Sequence, residues 1–87
     1  MTRISAAVTK VGNVEFTVVS VRSTTVSSMA EANDAIEGLS RYFPGRPIVL
    51  AARVGSRNKY VGRRDLTQFL ARTAPDRLPW KTYTFTE

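Results

Sequence analysis

Apolar and polar residues alternate through Val14-Glu15-Phe16-Thr17-Val18, and the run continues into Val19-Ser20-Val21. A period of two marks a strand with one face turned to a core. Upstream, Ile4 to Thr9 is short and partly β-branched, and Lys10-Val11-Gly12-Asn13 joins the two segments. Glycine and asparagine tolerate positive φ, so the pattern predicts a β-hairpin turning at Gly12-Asn13. The Val18-Val19 step breaks the alternation and implies either a bulge or a second buried face.

The period then changes. Arg22 to Ser27 is a Ser/Thr-rich connection, and Ser28-x-x-Glu31 has the spacing of a capping box. Ala32, Ala35, Ile36, Leu39 and Tyr42 or Phe43 recur at helical spacing, opposite Asn33, Asp34, Glu37 and Arg41. Pro44-Gly45 ends this helix. Pro47 opens Ile48-Val49-Leu50-Ala51-Ala52-Arg53-Val54, a short apolar run between breakers that reads as a buried strand. Gly55-Ser56-Arg57-Asn58 is turn chemistry, and Lys59-Tyr60-Val61 forms the return strand of a second hairpin. A second helix starts at Arg63-Arg64-Asp65-Leu66, with Asp65 where the helix dipole favours an anion. Its stripe is Leu66, Phe69 and Leu70, and Pro75 stops it. Trp80 to Thr86 makes a last strand of aromatic and β-branched residues.

This parsing gives an α+β fold in the order ββαββαβ, a two-layer sandwich with two helices on one face of a mainly antiparallel sheet. It matches the ferredoxin-like βαββαβ order with an extra N-terminal strand. An internal echo points the same way. Leu39, Arg41, Pro44 and Arg46 recur at the same offsets as Leu70, Arg72, Pro75 and Arg77. The alternative is that both helices end on the same common stop signal. The expected core is Phe16, Val18, Ala35, Ile36, Leu39, Ile48, Leu50, Leu66, Phe69, Leu70, Tyr83 and Phe85.

Composition narrows the chemistry. Eighty-seven residues make a single domain, 1–87, that buries roughly 60–65% of its unfolded surface, which leaves little volume for a deep enclosed site. The chain contains no cysteine and no histidine. That excludes disulfides, thiolate or imidazole catalysis, and the usual zinc, iron–sulfur and haem ligand sets. No metal site and no cofactor are expected, and the chain reads as a non-enzyme. No apolar stretch approaches the length of a signal-peptide core or a membrane span, so the expected location is cytoplasmic, with no membrane partner.

Charge is uneven. Residues 1–40 hold three basic and four acidic side chains, whereas 41–81 hold ten basic and two acidic. Ten of the thirteen basic residues are arginine, whose planar fork suits phosphate and carboxylate recognition. The densest stretch is Arg53-x-x-x-Arg57-x-Lys59-x-x-x-Arg63-Arg64. A hairpin tip carrying Arg57 beside a helix N-terminus carrying Arg63 would meet a phosphate backbone from two sides, with Tyr60 placed to stack on a base. The candidate polyanion-binding residues are therefore Arg53, Arg57, Lys59, Tyr60, Arg63 and Arg64. The competing reading is a solvated basic surface.

Tyr60-Val61-Gly62-Arg63 does not match the aromatic signature of an RNA-recognition sheet. Tyr83 and Phe85 share a strand face and read as core, and Trp80 is placed to cover the end of the second helix. Asp65 reads as a helix-start residue rather than a general base, and no phosphate-binding glycine loop or nucleophile elbow is present. The segment Tyr60 to Leu70, followed by Leu78-Pro79-Trp80-Lys81-Thr82-Tyr83, resembles a group of short, uncharacterised bacterial proteins with a Gly-Arg-x-Asp helix start and a C-terminal Pro-Trp strand. The resemblance covers about the last 40 residues, implies a bacterial, stand-alone domain, and carries no function. Two roles follow from the residues. One is a binding module for nucleic acid or another polyanion. The other is a protein-interaction domain, including a homodimer formed through a sheet edge or an open sheet face.

Overall fold

The computed structural model describes residues 2–86. Among them the chain forms strands β1 (Thr2–Val11), β2 (Val14–Ser20), β3 (Ile48–Val54), β4 (Arg57–Val61) and β5 (Lys81–Phe85), and helices α1 (Met29–Leu39) and α2 (Arg64–Ala71). Short 3-10 turns at Ser23–Val26 and Pro75–Arg77 complete the connections. The α+β class and the ββαββαβ order are those the sequence predicts, and three of the four strand pairings are antiparallel.

Both hairpins turn through two residues. Gly12 and Gly55 each occupy the first turn position with φ of 58° and 64°, and among the described residues no non-glycine residue has positive φ. That is the arrangement of a type II′ turn, whose twist suits a tight hairpin. The second turn is therefore Gly55-Ser56, and Arg57 and Asn58 belong to β4 rather than to the loop. The β1–β2 register runs unbroken from Ala6↔Val19 to Val11↔Val14, so the Val18-Val19 step is not a bulge. It marks a strand buried on both faces: Phe16, Thr17, Val18 and Val19 are all within 1% of full burial.

That double burial decides the layering. Successive strand residues point to opposite faces. Ile4, Ala6, Val19, Ile48, Leu50 and Ala52 share one face, and α1 packs there through Ala32, Ala35, Ile36 and Leu39. Ala7, Phe16, Val18 and Val49 share the other, and α2 packs there through Leu66, Phe69 and Leu70. Each helix thus forms its own helix-on-sheet layer, and the expectation that both lie on one face is corrected. Neither face is left wholly open for a second copy. What α2 does not cover, near β1 and β5, is lined by exposed Arg3, Ser5, Thr82 and Thr84.

The spatial order is β4-β3-β2-β1-β5. In a ferredoxin-like sheet the second unit inserts a strand between the two strands of the first. Here β2 and β3 are direct parallel neighbours with α1 as their crossover, while β4 and β5 form the two sheet edges. The element order along the chain is the expected one, and the spatial arrangement of the strands is not that of a ferredoxin-like sheet. The echo between the two helix ends is not a structural repeat, because β4 and β5 run antiparallel to one another across the whole sheet.

Local signals account for the helix ends. Ser28 caps α1, its hydroxyl accepting from the Glu31 amide at 3.2 Å. The Glu31 carboxylate accepts from the Ser27 hydroxyl at 3.1 Å, which replaces the reciprocal arm of a full capping box. The chain leaving α1 turns through Tyr42 and Phe43 and closes over β5. Phe43 meets Tyr83 and Phe85 edge-on at 5.4 and 5.7 Å, and Tyr42 lies 4.6 Å from Phe85. On the α2 side Phe16 meets Phe69 edge-on at 6.5 Å, and Trp80 packs against the same cluster. Every expected core residue is buried or packed against one of the two clusters. Ala6, Ala7, Ala32 and Ala52, with Val19, Val26 and Val49, are buried as well, beyond the expected core set.

Candidate anion-binding site

The basic stretch maps onto β4, which is an edge of the sheet, and onto the helix that follows it. The register Arg53↔Asn58, Ala52↔Lys59 and Ala51↔Tyr60 assigns the side chains to faces. Arg53, Asn58 and Tyr60 point to the α2 side. Arg57 and Lys59 point to the α1 side. All are at the rim, and Arg53, Arg57, Lys59, Arg63 and Arg64 are exposed.

The hairpin tip does not sit beside the start of α2. Gly62 and Arg63 follow directly on β4, so the helix begins at the end of the strand farthest from the tip, about 13 Å along it. α2 then runs back toward the tip, and Thr67 and Ala71 line a groove with Val54 and Arg57. The tip therefore faces the C-terminal half of the helix, which corrects the two-sided grip on phosphate expected of Arg57 and Arg63. Gly62 makes this reversal possible. A Cβ there would stand 3.0 Å from the Ile48 carbonyl oxygen and 3.0 Å from a Val49 methyl, a closer approach than a side chain is normally given.

The six predicted residues differ in what they are free to do. Arg63 is committed to Asp65, with its Nε 3.1 Å and an amino group 2.7 Å from the two carboxylate oxygens. The guanidinium holds the Asp65 carboxyl below the usual aspartate range, even though the pair is exposed. Lys59 donates to the Val26 carbonyl oxygen at 3.0 Å, which pins its stem across the start of the α1 layer. Tyr60 is half-buried among the α2-side residues, and burial pushes its phenol upward, so it is neutral at ordinary pH and forms a groove wall rather than a projecting stacking platform. Arg53, Arg57 and Arg64 project at the rim. Arg46, elsewhere in the basic half, is paired with Glu15.

Beneath these side chains runs a groove between β4 and α2. One part is about 450 Å³ and is lined by Val54, Asn58, Tyr60, Thr67 and Ala71, with Arg57 and Lys59 at its lip. A second part of about 350 Å³ shares Arg57, Asn58, Tyr60 and Ala71 and extends to Leu70 and Thr73. No acidic side chain lines either part. Sequence reasoning missed the wall formed by Thr67, Ala71 and Thr73. Arg64, Thr67 and Ala71 recur at successive intervals of three and four residues, and that spacing was the available signal, because it puts them on one face of α2 beside the apolar stripe.

Searches against protein-family models, curated proteins and solved structures gave no match to this chain. The site therefore rests on its own geometry. Among the described residues no cluster of carboxylates is placed to hold a metal ion, and no helix is long and apolar enough to cross a membrane.

Proposed function

We propose that this domain is a non-catalytic binding module for an anionic macromolecule, nucleic acid or another polyanion, engaged along the β4 edge. The observation that carries this reading is the charge at that edge. Arg53, Arg57, Lys59 and Arg64 flank one short strand, and the nearest carboxylate in sequence, Asp65, is spent on Arg63. The remaining cations have no ion-pair partner among the described residues. Positive charge of one sign along an edge raises the local concentration of an anion and steers its approach. It also opposes β4-to-β4 pairing of two copies, since like charges would lie across the new junction. Arg63 and Tyr60 drop to supporting roles, the first fixing the start of α2 and the second forming the groove wall.

The test is a titration of single-stranded DNA, duplex DNA and polyglutamate at several salt concentrations. Binding through these cations falls as a power of salt concentration, with a slope reporting the number of neutralised anionic groups. Absence of binding to all three, or binding indifferent to salt, overturns the reading.

A further inference from the structure

Resting on that reading, we infer that the ligand of the β4 edge is an extended acidic peptide segment that adds to the sheet as a sixth strand, seated in the groove between β4 and α2. Three observations converge. The first is the edge itself. In an antiparallel pair, alternate residues turn their N–H and C=O away from the partner strand. Val54 and Arg57 flank the two-residue turn and form its closing hydrogen-bonded pair, so in β4 the outward-turned residues are Asn58 and Tyr60. The second is the groove. It runs alongside those same two residues, with α2 as its far wall, so a strand laid on β4 has a shaped channel beside it. Strand addition at an exposed edge takes affinity from main-chain hydrogen bonds and specificity from pockets for alternate side chains.

The third observation is the alternation of chemistry across the edge. On the α1 side β4 presents Arg57 and Lys59. On the α2 side it presents Asn58 and Tyr60 over a groove walled by Ala71 and Leu70. A strand paired with β4 places successive side chains on these two sides in turn. The complementary sequence therefore alternates carboxylates, opposite Arg57 and Lys59, with small apolar residues that enter the groove. Cross-strand pairs of opposite charge stabilise such a junction, and like pairs oppose it. A nucleic acid uses the charges but neither the outward amides nor the apolar wall, which is why the observations favour a peptide.

The probe is a seven-residue peptide alternating glutamate and valine, with capped ends. The controls are the same peptide with lysine for glutamate, the same peptide N-methylated at alternate residues, and a single-stranded oligonucleotide. Binding is followed by amide shifts and amide exchange on the whole chain. The expected result is saturable binding of the Glu/Val peptide, slowed exchange of the Asn58 and Tyr60 amides, at least tenfold loss with N-methylation, and at least tenfold loss for Arg57→Glu. No binding of the lysine peptide is expected. An oligonucleotide that binds while the Glu/Val peptide does not overturns this inference and leaves the polyanion reading standing. Failure of every anion to bind removes both. Glu/Val binding unaffected by N-methylation overturns strand addition.

Discussion

The two edges of the sheet answer the same problem in different ways. An edge strand presents unpaired main-chain groups, and an unprotected one invites uncontrolled pairing. β5 is fastened from one side. Tyr83 and Phe85 lie under Tyr42 and Phe43, so the edge is locked to the chain that leaves α1, and its other side carries the threonines 82 and 84. β4 has no aromatic lock of that kind. It carries Arg57 and Lys59 on one side and a groove on the other. Packing anchors β5 through its α1-side face. Protection by charge keeps β4 from its own kind and leaves it selective for an opposite one.

The sharpest way to break this contrast is at the aromatic lock. Phe43→Ala removes a buried ring that touches both β5 aromatics and is expected to cost about 3–5 kcal/mol in urea unfolding. Amide exchange should accelerate first in β5, with β4 less affected. The matching strike on the β4 side is Gly62→Ala, which forces a methyl against the Ile48 carbonyl and Val49 and should cost about 1–3 kcal/mol. That variant should also weaken anion binding, because it displaces the start of α2.

A change between the two edges sharpens the comparison by leaving both intact. The Thr17 hydroxyl is buried in the central strand β2 with no hydrogen-bond partner among the described residues. Thr17→Val is expected to raise stability by about 1 kcal/mol, read from the denaturation midpoint, with anion binding unchanged. The smallest effect lies at Asp65. Its carboxyl is held low by Arg63, so its contribution to stability is present above the unfolded-state pKa and is lost as pH falls through the lower folded value. NMR titration should place the Asp65 transition below the usual aspartate range, and Arg63→Ala should return it to that range.

Much of the fold was legible in local chemistry. The glycines of both turns, the serine cap of α1 and the Leu66-Phe69-Leu70 stripe each determine structure within a few residues, and all appear where the pattern puts them. The layering was harder because it depends on partners distant in sequence. The signal for it was nevertheless present. Val18-Val19 and Ile48-Val49-Leu50 are unbroken apolar runs, and a strand that is apolar on both sides needs a cover on both sides. Leaving the first open between a bulge and a second buried face allowed both helices to be assigned to one face of the sheet. The site was legible as charge and not as shape. Spacing along the chain grouped Arg57 with Arg63, but the direction of β4 sets them at opposite ends of a strand. The Arg63–Asp65 pair removed one cation from the set, and the groove required α2 to fold back along β4, which no local pattern encodes.

The most direct test of the central claim is residue-by-residue mapping of anion binding by amide shifts on the intact chain. The account expects salt-sensitive shifts confined to Arg53–Val61 and Arg64–Thr73, with Lys81–Phe85 silent. Shifts centred on β5, or spread evenly over every exposed arginine including Arg46, would contradict it.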